Sequence, residues 1–325
     1  MTAIEQQARP VEMEETPCEI CGSDERRLVA WRTDLMLGGD RLFYMHECRG
    51  CGVLYQHPRP TPDAMEAFYP PEYQPYTPKL EAEGWLRRLD RRYGLRKRCR
   101  AVTRHVPRGR VLDVGCATGD FLDEMRRVPG WSVVGIEPGA AAARYARLQQ
   151  GLDVVEGTLN DSPFADRSFD AVTVWDVLEH VYDPRAVIHS LARLLRPGGV
   201  LVINYHNLHS VDRRLFGRFW CGYELPRHLY LFPDRLLGDL LAEHGLHEVE
   251  RQCLYGSQAS TTTTLQFLAR TYIEQGVADR VHDLLYSKIV RLGCLPYFYV
   301  TDRLLLGSNV TAVYRKADER NVIPH

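Results

Sequence analysis

The chain predicts an α/β protein: a doubly wound, mostly parallel sheet preceded by a small cysteine-bearing module. Three observations carry the prediction. From Arg110 onward, short apolar strands alternate with stretches of helical periodicity. The first strand runs into a glycine turn, Val111-Leu112-Asp113-Val114-Gly115-Cys116-Ala117-Thr118-Gly119. Ahead of it stand two Cys-x-x-Cys pairs, Cys18/Cys21 and Cys48/Cys51, each followed by glycine.

With 325 residues, 45% apolar and 26% charged, the chain has room for one large domain and a small one. A formal net charge of -1 gives no global reason to expect nucleic acid or an anionic membrane as partner. The polar, acidic start (Glu5, Glu12, Glu14, Glu15) carries no secretory-signal pattern. The apolar run from Leu292 to Val300 falls well short of the ~20 residues that a membrane span needs. Nine cysteines, four of them at metal-ligand spacing, fit a reducing compartment, so a cytoplasmic location is expected.

Residues 1–16 read as a disordered leader and 17–80 as a zinc-binding module with a tyrosine loop. A Cys-x-x-Cys knuckle turns both thiolates toward one half-site, and four thiolates close a structural Zn²⁺ site with no open position. The alternative is four unligated thiols or a redox pair. Leu28, Val29, Trp31, Leu42, Phe43 and Tyr44 between the pairs suit a small hairpin. A short helix is expected over 64–69. Tyr73 and Tyr76, on the proline-rich loop after it, either line a substrate pocket or pack the module onto the main domain. Residues 81–107 form a basic helical linker with arginines at 87, 88, 91, 92, 96, 98, 100 and 104. Such a run is ordinarily a solvated face, with contact to a phosphate-bearing partner as the alternative.

The sheet domain is expected over 108–262, with strands at 111–114, 131–136, 154–155, 169–175, 200–205 and 246–252. Its helices are expected at 121–128, 140–150, 185–195 and 234–244, with a sharp turn at Arg196-Pro197-Gly198-Gly199. Residues 263–308 read as a helical insertion or lid. On it Val281, Leu284, Leu285, Ile289 and Leu292 share a face that could cap the active site, form a dimer surface or touch a membrane. A last strand at 309–317 makes the seventh, and 318–325 is a tail.

Ligands of open α/β sheets bind beyond the carboxyl ends of the strands. The turn has two glycines where the dinucleotide fingerprint wants three, and Asp113 precedes it. A carboxylate aimed at the turn repels a pyrophosphate and suits a cation such as the amino group of S-adenosylmethionine. Glu137, 22 residues after Gly115, can accept both hydroxyls of a ribose.

Five ordered motifs resemble those of class I S-adenosylmethionine-dependent methyltransferases, a Rossmann-like fold. They are Asp113–Gly119, Gly135-Ile136-Glu137-Pro138, Phe169-Asp170, Leu178-Glu179-His180-Val181 and Leu195-Arg196-Pro197-Gly198-Gly199. The resemblance spans roughly 108–253 plus the final strand. It implies cofactor contacts from Asp113, Gly115, Cys116, Gly119 and Glu137, from Thr158 and Leu159 near the adenine, and from Trp175 and Asp176 after the fourth strand. Ala117 stands where the family often has glycine, which narrows the turn. The cysteine pairs, followed by Cys-Gly-Val-Leu-Tyr-Gln-His-Pro-Arg-Pro and the tyrosine loop, resemble bacterial sugar and natural-product methyltransferases with an N-terminal zinc-binding segment.

Methyl transfer needs an aligned nucleophile and, for a hydroxyl or carbon acid, a base near neutral pKa. Two histidines stand beyond the carboxyl ends of the sheet: His180 after the fourth strand and His228 after the fifth. His228 is the better candidate for the base, the alternative being a histidine that packs under the 230–232 segment. For His180 the alternative is a role in holding the cofactor loop by hydrogen bonds to backbone. In the zinc-bearing sugar enzymes a Glu-His pair is similar to this place; here Arg227 precedes the histidine, and a cation there would lower its pKa and could hold an anionic substrate. Tyr223, Glu224 and Arg227 are therefore expected on the substrate side with Tyr73 and Tyr76. The expectation is methyl transfer, O- or C-, to a small metabolite or glycosyl acceptor by a monomer or homodimer. The runner-up is a zinc-ribbon RNA-binding methyltransferase that uses residues 87–104.

Overall fold

In a computed structural model, residues 11–70, 85–254, 257–285 and 288–318 are described. Tyr73 and Tyr76 lie outside them. The chain begins with β1 (Met13–Glu14), β2 (Arg26–Arg32), β3 (Phe43–Cys48), β4 (Leu54–Gln56) and β5 (Arg59–Pro60), then the short helix α1 (Pro62–Met65). β1 pairs antiparallel with β5, and the Glu14 carboxylate meets the buried Arg59 guanidinium at 2.6 Å. Ordered chain therefore reaches into the stretch expected to be a leader, because Arg59 needs that carboxylate as well as Glu19.

The basic segment is one helix, α2 (Trp85–Thr103). It buries Leu95, Cys99 and Val102 against the sheet and leaves Arg88, Arg92, Arg96 and Arg100 exposed at four-residue spacing. Next come β6 (Gly109–Val114), α3 (Asp120–Met125), β7 (Trp131–Glu137), α4 (Ala140–Leu148), β8 (Val154–Glu156) and β9 (Phe169–Trp175). After these lie α5 (Pro184–Leu194), β10 (Leu195–His206), α6 (Val211–Phe216), β11 (Tyr230–Leu231), α7 (Asp234–Ala242) and β12 (Leu246–Gln252). The chain ends with α8 (Ser257–Tyr272), α9 (Gln275–Leu285), α10 (Lys288–Arg303) and β13 (Asn309–Lys316).

Seven strands form one sheet in the order β12-β13-β10-β9-β6-β7-β8, with β13 antiparallel to both its neighbours. Alternate residues feed two cores, as period two requires. Leu112, Val172, Leu201 and Ile203 face α5 and α7 on one side. Val111, Ala171, Val200 and Val202 face α2, α3 and α4 on the other. Near-continuous apolar strands follow from burial on both faces. The expected turn at 196–199 is taken up inside β10 as a register irregularity against β9 between Leu195 and Val200.

The cysteine module is not a separate bead. β2, β3 and β4 form an antiparallel sheet that β11, from the main domain, extends in the order β11-β4-β3-β2. Cys18, Cys48, Val53 and Tyr55 belong to the same apolar cluster as Leu112 and Ile203. A third cluster joins Phe43, Met45 and Leu54 to Trp220, Tyr223 and Phe267 of α8. The helical stretch begins at Ser257, earlier than the sequence suggests, and α8 covers the junction with the module. On α9 and α10, Leu284 and Leu292 stand exposed. Among the described residues, no helix is long and apolar enough to cross a membrane.

Candidate active site

The glycine turn sits at the carboxyl end of β6, an interior strand flanked by β9 and β7. Gly115 and Gly119 both adopt left-handed backbone, with φ of 68° and 88°. A Cβ on Gly115 would lie 2.6 Å from the Val177 side chain, so the turn is closed against the loop after β9. Ala117 also has positive φ, 46°, a conformation that costs a residue with a Cβ roughly 1–2 kcal/mol. Its N–H donates to Glu137 Oε2 at 2.8 Å, while Gly139 N–H donates to Oε1 at 2.7 Å. One buried carboxylate thus ties the glycine turn to the end of β7 and keeps a lone pair on each oxygen.

Asp113 is fully buried, and burial pushes its carboxyl up to about 7, while the Thr173 hydroxyl donates to it at 2.6 Å. A carboxylate desolvated this far calls for a cation. The Arg98 guanidinium of α2 supplies some positive charge and stacks 5.0 Å over the Trp175 ring. Trp175 packs edge-on against Phe121, and Cys116 is buried beside the turn, its thiol pushed up by burial. Asp176, at φ 57°, accepts from the Asn204 amide. Thr158 has extended backbone and Leu159 is buried, both directly after β8. These residues share one end of the sheet. An acidic residue for a cationic amine and a second at the ribose position of the next strand match S-adenosylmethionine, so the donor set fits that cofactor.

At the module, Cys18 Sγ lies 3.7 Å from Cys51 Sγ, and Cys21 Sγ lies 3.5 Å from Cys48 Sγ. All four sulfurs lie within 4.8 Å of one another. Zn–S bonds of about 2.3 Å at tetrahedral angles put sulfurs about 3.8 Å apart. Cys₄ geometry therefore fits a structural zinc with no open position.

The second half of the site is a histidine cluster. The rings of His180 and His228 are 4.7 Å apart, and His206, at the carboxyl end of β10, lies 4.8 Å from His228. His228 Nδ1–H donates to the Gly222 carbonyl at 2.9 Å. A carbonyl only accepts, so the His228 ring carries its proton on Nδ1 and presents Nε2 as a base. His180 Nδ1 lies 3.0 Å from the Arg227 carbonyl and 2.9 Å from the Tyr69 hydroxyl, which can donate to it. Burial holds the imidazolium form of His228 well down, with His180 and His206 adding to it. Arg227 contributes less, since its guanidinium is fully buried between Asp34, with two bonds of 2.8 Å, and Glu224 at 2.8 Å. It therefore faces internal carboxylates rather than an open pocket.

Tyr223 is buried as well: its hydroxyl accepts from Arg213 Nε at 2.9 Å and its ring packs on Trp220. Glu224 is half-buried at the edge of the cluster. Three participants escape a reading of the sequence. The Tyr69 hydroxyl lies 2.9 Å from His180 Nδ1, Glu179 is buried beside the three rings, and Asp34 holds Arg227 from the far end of β2. His206 carries a legible signal, a titratable side chain at the carboxyl end of a central strand. Asp34, in a loop far away in sequence, carries none.

The family described as "Methyltransferase domain" matches residues 85–251, just over half of the chain. The chain is 32% identical over 185 residues to a ubiquinone biosynthesis O-methyltransferase of Cereibacter sphaeroides, covering 53% of this chain and 74% of that protein. Its match to the enzyme of the same description from Erwinia tasmaniensis is 38% identical over 109 residues, covering 31% of this chain and 44% of that protein. The match to that from Xanthomonas oryzae is 40% identical over 134 residues, covering 38% and 55%. The chain thus spans less than half of the Erwinia protein and about three quarters of the Cereibacter one. A sheet in this order, a cofactor turn of this chemistry and a family match across both make the chain a member of the class I S-adenosylmethionine-dependent methyltransferases.

Proposed function

We propose that this methyltransferase acts on a hydroxyl of a small metabolite or glycosyl acceptor, with His228 Nε2 as the general base. The observation that carries the reading is the Gly222 carbonyl at His228 Nδ1, which fixes the proton-accepting tautomer beyond the ends of the strands. The O-methyltransferase activity in the names of the relatives agrees with an oxygen acceptor.

In this reading Asp113 and Glu137 hold the amino and ribose groups of S-adenosylmethionine, Gly115, Cys116 and Gly119 line its approach, and Trp175, Asp176, Thr158 and Leu159 flank it. When bound, the cofactor supplies an electrophilic methyl whose C–S bonding pair leaves with sulfur. The chain orients the acceptor and takes the hydroxyl proton onto Nε2, so that the oxygen lone pair is free to form the new bond. Burial of the cluster excludes water. His180, turned toward Tyr69 and the Arg227 carbonyl, shapes the loop between cofactor and acceptor. Tyr73, Tyr76, Tyr223 and Glu224 complete the acceptor side, with Arg227 holding Glu224. Residues 17–80 with four cysteines on zinc form the module that carries this wall, and 263–308 covers it.

S-adenosylhomocysteine is expected to raise the melting temperature of the wild-type chain and to lose at least tenfold in affinity in Glu137→Ala. Against a panel of phenolic and sugar hydroxyl acceptors, read by S-adenosylhomocysteine release, His228→Ala is expected to keep cofactor affinity and lose turnover by 10²-fold or more. Undiminished release in His228→Ala removes His228 as the base.

A further inference from the structure

One base explains one histidine, yet the cluster holds three and a carboxylate that the reading above does not use. Glu179 is 3% exposed, and neither of its carboxylate oxygens makes a hydrogen bond. One of those oxygens and one ring nitrogen each of His180 and His228 lie within 4.8 Å of one another. His206 Nε2, at the end of β10, stands 3.4 Å from Glu179 Oε1. The backbone is committed to the same spot: the Leu229 N–H donates to the Glu179 carbonyl at 2.7 Å, so Glu179 and the residue after His228 move together.

Taking a proton onto a buried imidazole creates a buried cation, and a dry site resists that unless an anion lies close by. Arg227 is neutralised by Asp34 and Glu224. Asp176 accepts from Asn204 at the cofactor side. The Tyr69 hydroxyl and the Arg227 carbonyl meet His180, and the Gly222 carbonyl meets His228. Glu179 is the carboxylate that shares the 4.8 Å cluster with one ring nitrogen each of His180 and His228, close enough for its ionised form to favour a proton on either ring.

We propose that Glu179 is the counter-charge that makes His228 a usable base, and that His206 is the positioning residue that holds its carboxylate. The inference rests on His228 as base. The proton leaves the acceptor hydroxyl, whose bonding pair stays on oxygen, and resides on His228 Nε2 under the field of ionised Glu179 until the products leave and solvent takes it. Burial together with Asp176 and Glu224 raises the Glu179 carboxyl well above its ordinary value, so its ionisation, and with it base function, sets in above the usual carboxylate range.

The test needs no acceptor. In the full-length, S-adenosylhomocysteine-loaded protein, ¹⁵N-histidine NMR titration reads the tautomer and proton affinity of each ring, with His228→Asn and His206→Asn assigning the signals. The expected result is an Nδ1–H tautomer at His228 and a proton affinity that falls tenfold or more in Glu179→Gln. Cofactor affinity should be unchanged, and Glu179→Asp and His206→Asn should give smaller falls in the same direction. An unaltered His228 titration in a folded Glu179→Gln protein overturns the inference. So does a second equivalent of bound divalent metal, beyond the one on the cysteines, that Glu179→Gln removes, because the carboxylate would then be a ligand. Loss of base function is read separately: turnover surviving in His228→Ala refutes the base, whereas an unshifted His228 alongside lost turnover refutes only the role of Glu179.

Discussion

At the scale of single residues, Asp113 sets burial against charge in the cofactor half. Its folded pKa of about 7 lies above the ordinary 3.8, so the folded chain binds its proton more tightly than the unfolded one. The stabilisation from that proton is complete below 3.8 and is lost as pH rises through 7. The ligand-free protein is therefore expected to melt at a higher temperature at pH 6 than at pH 8. Asp113→Asn should flatten the difference, and S-adenosylhomocysteine, with its ammonium group, should narrow it in the wild type. A melting-temperature difference unaltered by Asp113→Asn would place the pH dependence elsewhere. Asp113 and Glu137 were legible as candidates from position alone, at the carboxyl ends of β6 and β7, where open α/β sheets meet their ligands. The strain at Ala117 was legible only as a departure from a pattern, since the amino-acid letter carries no φ. What holds it, the Glu137 carboxylate on its N–H, needs the fold.

Among the elements, the sheet strands were readable because burial on both faces leaves an apolar run with hard edges. β9, Phe169–Trp175, falls where the apolar run puts it. The helix and turn boundaries were less readable: Arg196-Pro197-Gly198-Gly199 looks like a break and is instead bridged by pairing to β9 on either side of the irregularity. Neither the cysteine spacing nor the apolar pattern hinted that β11 would leave the main domain to pair with β4, with Tyr230 opposite Tyr55. That pairing makes a measurable claim for the cysteine module. The Gln56 N–H donates to the Leu229 carbonyl at 2.9 Å, one residue from His228. Purified protein is expected to hold about one zinc per chain. Chelation, which in such sites removes folding free energy directly, should free β2–β4 and with them β11. Hydrogen exchange at Tyr230 and Leu231 should then accelerate by 10²-fold or more while S-adenosylhomocysteine binding, which depends on β6 and β7, stays within a few-fold. Equal protection of β11 with and without metal would show that the module does not need zinc to hold that strand.

Across the whole molecule, the module and the sheet domain are locked by charge as well as by apolar packing, at a place that sequence spacing cannot reveal. Asp34 and Arg227 are 193 residues apart, both buried, and joined by two bonds of 2.8 Å, with Glu224 as the third member. Arg59 repeats the arrangement between Glu14, Glu19 and the Tyr230 hydroxyl. A buried pair contributes little over a well-packed apolar substitute, but breaking it from one side leaves an uncompensated charge, which costs about 3–5 kcal/mol. Arg227→Met is thus expected to lose stability on that order, since Asp34 remains buried with no cation. Asp34→Leu combined with Arg227→Met should recover most of the loss, because Glu224, half-buried, can turn to solvent. Chemical denaturation of the two single variants and the double variant measures the coupling. The same series separates architecture from recognition. If Arg227 serves to join the two parts, the double variant regains stability and keeps its His228 tautomer. If the guanidinium instead meets an acceptor anion directly, the double variant is stable and its acceptor KM rises steeply while cofactor affinity and tautomer are unmoved.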